Sequence, residues 1–396
     1  MRARGRSRGR RRRLAASDRA GPFGTPVKLT DSSPRRHPTV TSYVDQLPAT
    51  VRSHIQAVLN DFLHAKASAA DTDQLPREAA RALQDFLDAG GKRLRPLLCV
   101  IGWHAAGGKG SPASVVQVAS SLEMFHACCL IHDDIMDGSA TRRGAPTVHR
   151  AFTAHYAHGR SKEAAERMGV SAAILVGDLA LSWSDELLHT AGLAPDQLFR
   201  VLPLIDVMRT EVMYGQHLDV TATGDATASL ERALAIVRFK SAKYTVERPL
   251  HIGAALAGAP ARTQAALSAY ALPVGEAFQL RDDLLGVFGD PAATGKSCLD
   301  DLREGKHTAL IALALQHADD TDQRLLRNRL GARDLDEKGA SLIRRVLIRT
   351  GARDRVERMI QARHARARQA LAQGAFPPTA SRALEELAHA VTARSA

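Results

Sequence analysis

At 396 residues with 45% apolar content the chain can bury a substantial core, and aromatics at only 4% leave that core to Leu, Ala, Val and Ile. The net charge of +12 is uneven: residues 1–40 carry twelve Arg or Lys against Asp18 and Asp31, so the other 356 residues hold only about +2. A near-neutral body gives no basis for a nucleic-acid partner. No run of 18 apolar residues occurs, because Asp178 and Gln316-His317 stop the best stretches (168–177 and 308–315), so no transmembrane span is expected.

Near its start the chain carries R-G-R-S-R-G-R-R-R-R, which has nothing to bury and is expected to be disordered, a solvated extension in preference to an arm for nucleic acid or an anionic membrane surface. No apolar segment follows the arginines, so the reading is not a secretory signal. Residues 1–41 are therefore taken as tail and linker, and 42–396 as one all-α domain. A helical stripe runs through Val51, Ile55, Val58, Leu59 and Leu63. Ser111-Pro112 offers an N-cap and first-turn pair, from which Val115, Val118, Leu122, Phe125 and Cys129 lead to Asp133 on one face. Further helices are expected over 162–180, 195–218, 229–257, 262–288, 306–318 and 340–372, with 316–339 a polar connection holding a short helix. Cys99, Cys128, Cys129 and Cys298 lack metal-like spacing and read as reduced, small core residues of a cytoplasmic protein.

Two acidic clusters carry the chemistry. The first is Asp133-Asp134-Ile135-Met136-Asp137, with Arg142-Arg143-Gly144 downstream; the second is Asp282-Asp283, followed by Lys296 and Lys306. Asp133 and Asp137 are four apart, so they stack one turn apart on a helix face, where like charges destabilise unless something binds them. An acidic run is ordinarily a solvated turn. Here Leu130-Ile131 and Ile135-Met136 put the cluster at the end of a buried stripe instead. Buried carboxylates need a neutralising cation, and Mg²⁺ is typically held by one or two carboxylates plus substrate phosphates. Two such clusters beside arginines and lysines read as a diphosphate clamped through Mg²⁺. Gly90-Gly91-Lys92-Arg93-Leu94-Arg95-Pro96 adds flexible glycines and cations at a helix start, suited to an anion. Gln216 and Asp219, one turn apart, and Lys240, Ser241 and Lys243-Tyr244-Thr245 could face the same cavity or sit on a satisfied helix surface.

Six stretches in order, G-G-K-R-L-R-P, L-I-H-D-D-I-M-D-G-S-A-T-R-R-G-A-P-T, G-Q-H-L-D, F-K-S-A-K-Y-T-V-E-R-P-L, F-Q-L-R-D-D-L-L-G-V-F-G-D and T-G-K…D-D-L-R-E-G-K, resemble the trans-isoprenyl diphosphate synthase (polyprenyl synthetase) family from about residue 42 to 318. The resemblance implies an all-helical isoprenoid-synthase fold, usually a homodimer, and a Mg²⁺-dependent prenyltransferase joining isopentenyl diphosphate to an allylic diphosphate. By that resemblance the metal carboxylates are Asp133, Asp134, Asp137, Asp282 and Asp283. Arg142, Lys240 and Lys296 would hold the allylic diphosphate, and Lys92, Arg95, His126 and Arg143 isopentenyl diphosphate. Ser241, Gln216, Gln279, Phe278 and Lys306 would complete the cavity, with Asp133, Asp137, Asp282, Lys240 and Gln279 as the catalytic set. The family's second motif usually reads D-D-x-x-D, and Gly286 stands here in place of its last aspartate. In the mechanism that the resemblance implies, the departing diphosphate takes the final proton.

Cys128 and Cys129, the fifth and fourth residues before Asp133, are small, and Phe125 is the nearest bulky plug. With about 1.5 Å of rise per residue, Phe125 sits roughly 12 Å above Asp133. This points to geranylgeranyl diphosphate as product, with farnesyl diphosphate or a longer prenyl chain as alternatives. The rival readings are a class I terpene cyclase, which would need no G-G-K-R-L-R-P site, and a non-catalytic subunit of a heteromeric synthase, for which Gly286 is the only support.

Overall fold

A computed structural model describes residues 47–73, 76–109, 112–290 and 298–392. Ser111 and Lys296 lie outside these segments, so the expected Ser111 cap and the Lys296 diphosphate contact are not described.

Sixteen α-helices are found among the described residues. The first seven are α1 (Leu47–Thr72), α2 (Glu78–Asp88), α3 (Leu94–Ala105), α4 (Ala113–Met136), α5 (Val148–His155), α6 (Lys162–His189) and α7 (Pro195–Ala222). Then come α8 (Leu230–Ile236), a π-helical segment (Val237–Glu247), α9 (Arg248–Leu256) and α10 (Ala261–Phe288). The chain closes with α11 (Asp300–Glu304), α12 (Ala309–His317), α13 (Asp320–Arg329), α14 (Glu337–Arg349), α15 (Ala352–Gln373) and α16 (Pro378–Thr392). The only strands described are β1 (Thr141–Arg142) and β2 (Ala145–Pro146), an antiparallel pair with Arg142 opposite Ala145. The all-α expectation is met.

Three local differences from expectation have physical causes. Residues 229–257 are not one α-helix, because 237–247 widens to π geometry. Gly215 of α7 and Gly275 of α10 press on this segment: a Cβ on Gly215 would lie 2.4 Å from the Lys240 nitrogen, and one on Gly275 2.5 Å from the Ala242 Cα. The expected 340–372 helix breaks into α14 and α15 at Gly351, whose φ of 70° is left-handed and ends a helix cheaply only for glycine. The 306–318 helix starts later, where the Thr308 side chain caps α12 by accepting from the Ile311 N–H.

Apolar residues gather in two clusters. One joins α1–α4, α6, α7 and α9 with the first half of α10 through Leu267, Tyr270, Ala271 and Val274. The other joins α12 and α14 with the second half of α10 through Ala277, Leu280, Leu284 and Val287. Helix α10 thus belongs to both, and the polar cleft lies beside its junction. By length and composition α4 could cross a membrane, although it lacks an unbroken apolar run. Its apolar window is 72% buried inside the protein, so it is the core helix of this fold.

Candidate active site

Both acidic clusters occupy the C-terminal turns of long helices, Asp133–Asp137 on α4 and Asp282-Asp283 on α10. At the end of α4 the backbone dipole is negative and disfavours carboxylates, so the first cluster depends on nearby cations. Lys240 supplies one from the π segment: its ammonium lies 3.2 Å from Asp133 Oδ1 and 2.6 Å from Asp219 Oδ2 of α7. Gln216 Nε2, one turn before Asp219, donates to Asp133 Oδ1 at 2.8 Å. Lys306 supplies the second, 3.4 Å from Asp137 Oδ2, 3.8 Å from Asp301 Oδ1 and 2.8 Å from Glu304 Oε2. A single ammonium therefore sits between a carboxylate of the first motif and carboxylates that follow the second.

These charges set the titration of the site. Burial acts to raise the Asp133 pKa, but Lys240, Lys306 and Arg142 outweigh it and hold that carboxyl below its usual range. Asp137 goes the other way: burial lifts it, and Lys306 only partly compensates. Burial acts against the charged Lys306, yet Asp301, Asp137 and Glu304 keep its ammonium well above the ordinary lysine value. Asp283 is pushed up to about 7, chiefly by burial, with Asp301, Asp282 and Asp219 adding repulsion and the Gln279 hydrogen bond opposing. The cleft is overloaded with negative charge. Carboxylate oxygens are the donors a hard divalent cation takes, although among the described residues no three His, Cys, Asp or Glu side chains are yet grouped closely enough to hold one.

The cleft encloses about 430 Å³ of space open to solvent, lined by Asp219, Lys240, Ser241, Gln279, Asp283, Lys306, His307, Thr308 and the apolar Ala233, Ile236 and Val237. Gln279 is fixed at both ends, its amide nitrogen donating to Asp283 Oδ1 at 2.8 Å and its oxygen accepting from Ser241 Oγ at 2.5 Å. Lys243, by contrast, pairs with Glu211, which also takes Arg248 at 2.7 and 2.8 Å, so it supports the segment rather than facing the cleft.

The two-strand hairpin separates the paired arginines. Its turn residues Arg143 and Gly144 both have positive φ (54° and 79°), the geometry of a two-residue loop whose twist suits a hairpin. Arg142 turns back to Asp134, donating through Nε and Nη2 at 2.8 and 2.7 Å. Asp134, expected beside the metal, thus has both oxygens taken by a bidentate arginine and is 1% exposed. It lies about 100° around the helix from Asp133, and the same Arg142 Nη2 also reaches to 3.7 Å from Asp133 Oδ2. Arg143 turns the other way, donating to the Gly90 carbonyl and stacking 5.7 Å from the Phe86 ring.

Near that loop stand the other expected anion-binding residues. The Lys92 ammonium is 5.5 Å from the Phe278 ring. Arg95 lies 4.2 Å over the Tyr244 ring and donates to Thr245 Oγ1 at 2.7 Å. His126 Nδ1 is 3.4 Å from the Tyr244 hydroxyl. Burial first, then Arg95, Arg142, Arg143 and Arg93, drive the His126 pKa well down, so the ring is neutral at physiological pH. Between Lys92 and Arg95, Arg93 adopts a left-handed φ of 47° and points inward, donating to Glu123 Oε1 (2.6 Å), the Leu87 carbonyl (2.6 Å) and Gln56 Oε1 (3.0 Å). The chain-length candidates divide by face. Phe125, 1% exposed, packs edge-on to Tyr244 at 5.9 Å beneath the Arg209 guanidinium, and Cys129 accepts from the Tyr244 hydroxyl at 3.6 Å. Cys128 instead turns to His132, 3.8 Å away. Sequence reasoning singled out neither the Arg93–Glu123 pair nor Arg209, Asp301 or Glu304 as site residues. The D-D-L-R-E-G-K stretch was the one available signal for the last two.

Residues 76–346 match the family model described as Polyprenyl synthetase. The chain belongs to that family. A crystal structure of geranylgeranyl pyrophosphate synthase from Corynebacterium glutamicum, complexed with isoprenyl diphosphate and magnesium, matches at TM-score 0.83 and 40% identity, covering 89% of this chain and 99% of that one. Among curated relatives, geranylfarnesyl diphosphate synthase of Aeropyrum pernix is 32% identical over 246 residues (61% of this chain, 72% of the relative). Geranylgeranyl diphosphate synthase of Methanosarcina mazei is 31% identical over 264 residues (67% and 73%). The protein is a trans-prenyl diphosphate synthase with the all-α isoprenoid-synthase fold.

Proposed function

We propose that this synthase joins isopentenyl diphosphate to an allylic diphosphate with Mg²⁺ and releases a prenyl diphosphate of geranylgeranyl length. The observation that supports the reading is the gathering of carboxylates around two ammonium groups: Lys240 lies between Asp133 and Asp219, and Lys306 between Asp137 of the first motif and Asp301 and Glu304, which follow the second. Bound Mg²⁺ would offset the charge that develops on the departing diphosphate. Asp133, Asp137 and Asp282 are the residues proposed to hold it, with Asp283 beside Asp282.

Lys240, Arg142 and, from the sequence, Lys296 then contribute cationic stabilisation to the allylic diphosphate, an electrostatic effect strengthened in a cleft of low dielectric. Lys92, Arg95 and Arg143 fix isopentenyl diphosphate, and neutral His126 can donate or accept a hydrogen bond without adding charge. Gln279, Gln216, Ser241 and Phe278 position the reacting carbons, since orientation sets the rate once leaving-group charge is stabilised. No carboxylate or histidine is assigned as base, because the released diphosphate can take the proton.

Product length is read from Phe125 and Cys129, which share the helix face leading to Asp133. Phe125 serves as the floor, roughly 12 Å from Asp133 by helical rise, and small Cys129 leaves the intervening space open. Cys128, turned toward His132, has the lesser role. The synthase domain is proposed to span 42–396, and the four thiols fit a reducing cytoplasmic setting. A homodimer fits the apolar residues left outside: Phe199 (82% exposed), Tyr214 and Met213 on α7, and Leu175 on α6. Incubating the purified chain with isopentenyl diphosphate and each allylic primer in turn, and reading product length by mass spectrometry, tests the assignment. A geranylgeranyl product supports it, and a farnesyl or longer product moves the floor elsewhere.

A further inference from the structure

Arg209 of α7 stands against the proposed floor of the prenyl cavity. It borders the buried apolar stripe of Val201, Ile205, Met208 and Val212 on the same helix. Its guanidinium lies 5.1 Å from the centre of the Phe125 ring, inside cation–π range. Tyr244 meets the same ring edge-on at 5.9 Å. Phe125 of α4 is therefore flanked by a cation from α7 and an aromatic from the π segment.

The cation is itself anchored. Nη2 of Arg209 donates to Ser184 Oγ at 2.9 Å and lies 2.6 Å from Asp185 Oδ1, both on α6. An ion pair of partly exposed side chains is ordinarily worth little, and an arginine that lays its stem on apolar surface and its head in water would need no further account. Two observations separate Arg209 from that case. Its Nε is buried and has no hydrogen-bond partner, so part of the guanidinium is turned away from water. Its charge also reaches the Cys128 and Cys129 thiols, which lie on α4 between Phe125 and Asp133.

From this placement we infer that Arg209 is a positioning residue for product length: anchored by Ser184 and Asp185, it pins the Phe125 ring across the cavity and so stops chain growth there. The inference rests on the reading of Phe125 as the floor, and it adds what keeps that floor closed. A prenyl chain that outgrows the cavity must push the ring aside. Each contact that holds the ring raises the cost of that displacement.

The test uses the full chain with Mg²⁺, farnesyl diphosphate as primer and isopentenyl diphosphate in excess. Mass spectrometry reads the ratio of longer products to the main product of the unmodified chain. Arg209→Met keeps an apolar stem and removes the cation, and should raise that ratio by about tenfold, the scale that a partly desolvated cation–π contact supports. Arg209→Lys keeps a cation and should raise it far less. Asp185→Asn loosens the anchor without touching the ring, and should shift the ratio in the same direction as Arg209→Met. Phe125→Ala should raise it too, and adding Arg209→Met to that variant should then change little, because Arg209 acts through the ring. Equal shifts in Arg209→Met and Arg209→Lys would mean a merely structural role and overturn the inference, as would a second full shift in the double variant. Should Arg209→Met not fold, Asp185→Asn carries the test, and an unchanged product there overturns the inference. If Phe125→Ala lengthens the product while Arg209→Met and Asp185→Asn do not, this inference alone fails. If Phe125→Ala does not lengthen it either, the reading of the floor fails with it.

Discussion

Replacing Glu123 with Gln tests how the G-G-K-R-L-R-P loop is held. Arg93 is 6% and Glu123 3% exposed, so the pair sits in the interior with hydrogen bonds at 2.6 Å to Glu123 and to the Leu87 carbonyl. Removing one member of a buried pair leaves the other charge uncompensated and costs about 3–5 kcal/mol. The amide oxygen of the new side chain would still accept a hydrogen bond, which places this variant near about 3 kcal/mol, or roughly two decades in the unfolding equilibrium. The cost should appear in urea unfolding followed by circular dichroism, as a lower midpoint at unchanged slope. Arg93→Met/Glu123→Met removes both charges and should lose less than Arg93→Met alone. Because Arg93 anchors the loop between Lys92 and Arg95, Glu123→Gln should also raise KM for isopentenyl diphosphate more than it lowers kcat. A single-variant cost below about 1 kcal/mol, the scale of an exposed pair, with KM unchanged, would refute both parts.

Phe125→Ala should lengthen the product and Cys129→Phe should shorten it, read by mass spectrometry; Phe125→Ala should also cost about 3–5 kcal/mol of stability, as for a buried aromatic truncated to alanine. If neither moves the product, α4 does not form the floor. His126, held neutral by burial and nearby arginines, binds its proton more readily unfolded than folded. Its folded pKa lies well below 6.5, so its contribution is intact above 6.5 and is lost as pH falls from there toward the folded value. Thermal unfolding midpoints across that window should fall less steeply for His126→Asn than for the unmodified chain, and equal slopes would count against the assignment. Asp134→Asn should mainly disturb Arg142, raising KM for the allylic diphosphate while leaving Mn²⁺ affinity within about threefold, since Asp134 is not assigned to the metal; a large loss of Mn²⁺ affinity would restore it to the metal set.

Those elements were legible in the sequence whose cause is local. The four-residue spacing of Asp133 and Asp137, the stripe that leads to them and the polar stretch holding α13 (Asp320–Arg329) all follow from helical periodicity. Gln216, Asp219, Lys240 and Gln279 were legible as candidates, and the fold brings them to one cleft. What was hidden depends on contacts distant in sequence. The π segment arises where Gly215 and Gly275 bring two other helices against it. The division of labour between Arg142 and Arg143 comes from a two-residue turn at Arg143-Gly144, a signal present in the sequence but masked by the helical pattern around it. Arg93 reads as one more loop cation until its left-handed backbone turns it inward. Arg209 stands on α7 and Phe125 on α4, so no helical periodicity could pair them.

The central claim is that the two carboxylate clusters together hold the ion against which diphosphate departs. The direct measurement is diphosphate release by the purified chain alone, given isopentenyl diphosphate and an allylic primer, with Mg²⁺ and with EDTA, for the unmodified protein, Asp133→Ala and Asp282→Ala. The account predicts turnover that needs Mg²⁺ and falls by about two decades or more in each variant, with helical circular dichroism unchanged. Near-normal rates in both variants, or turnover that persists in EDTA, would contradict it.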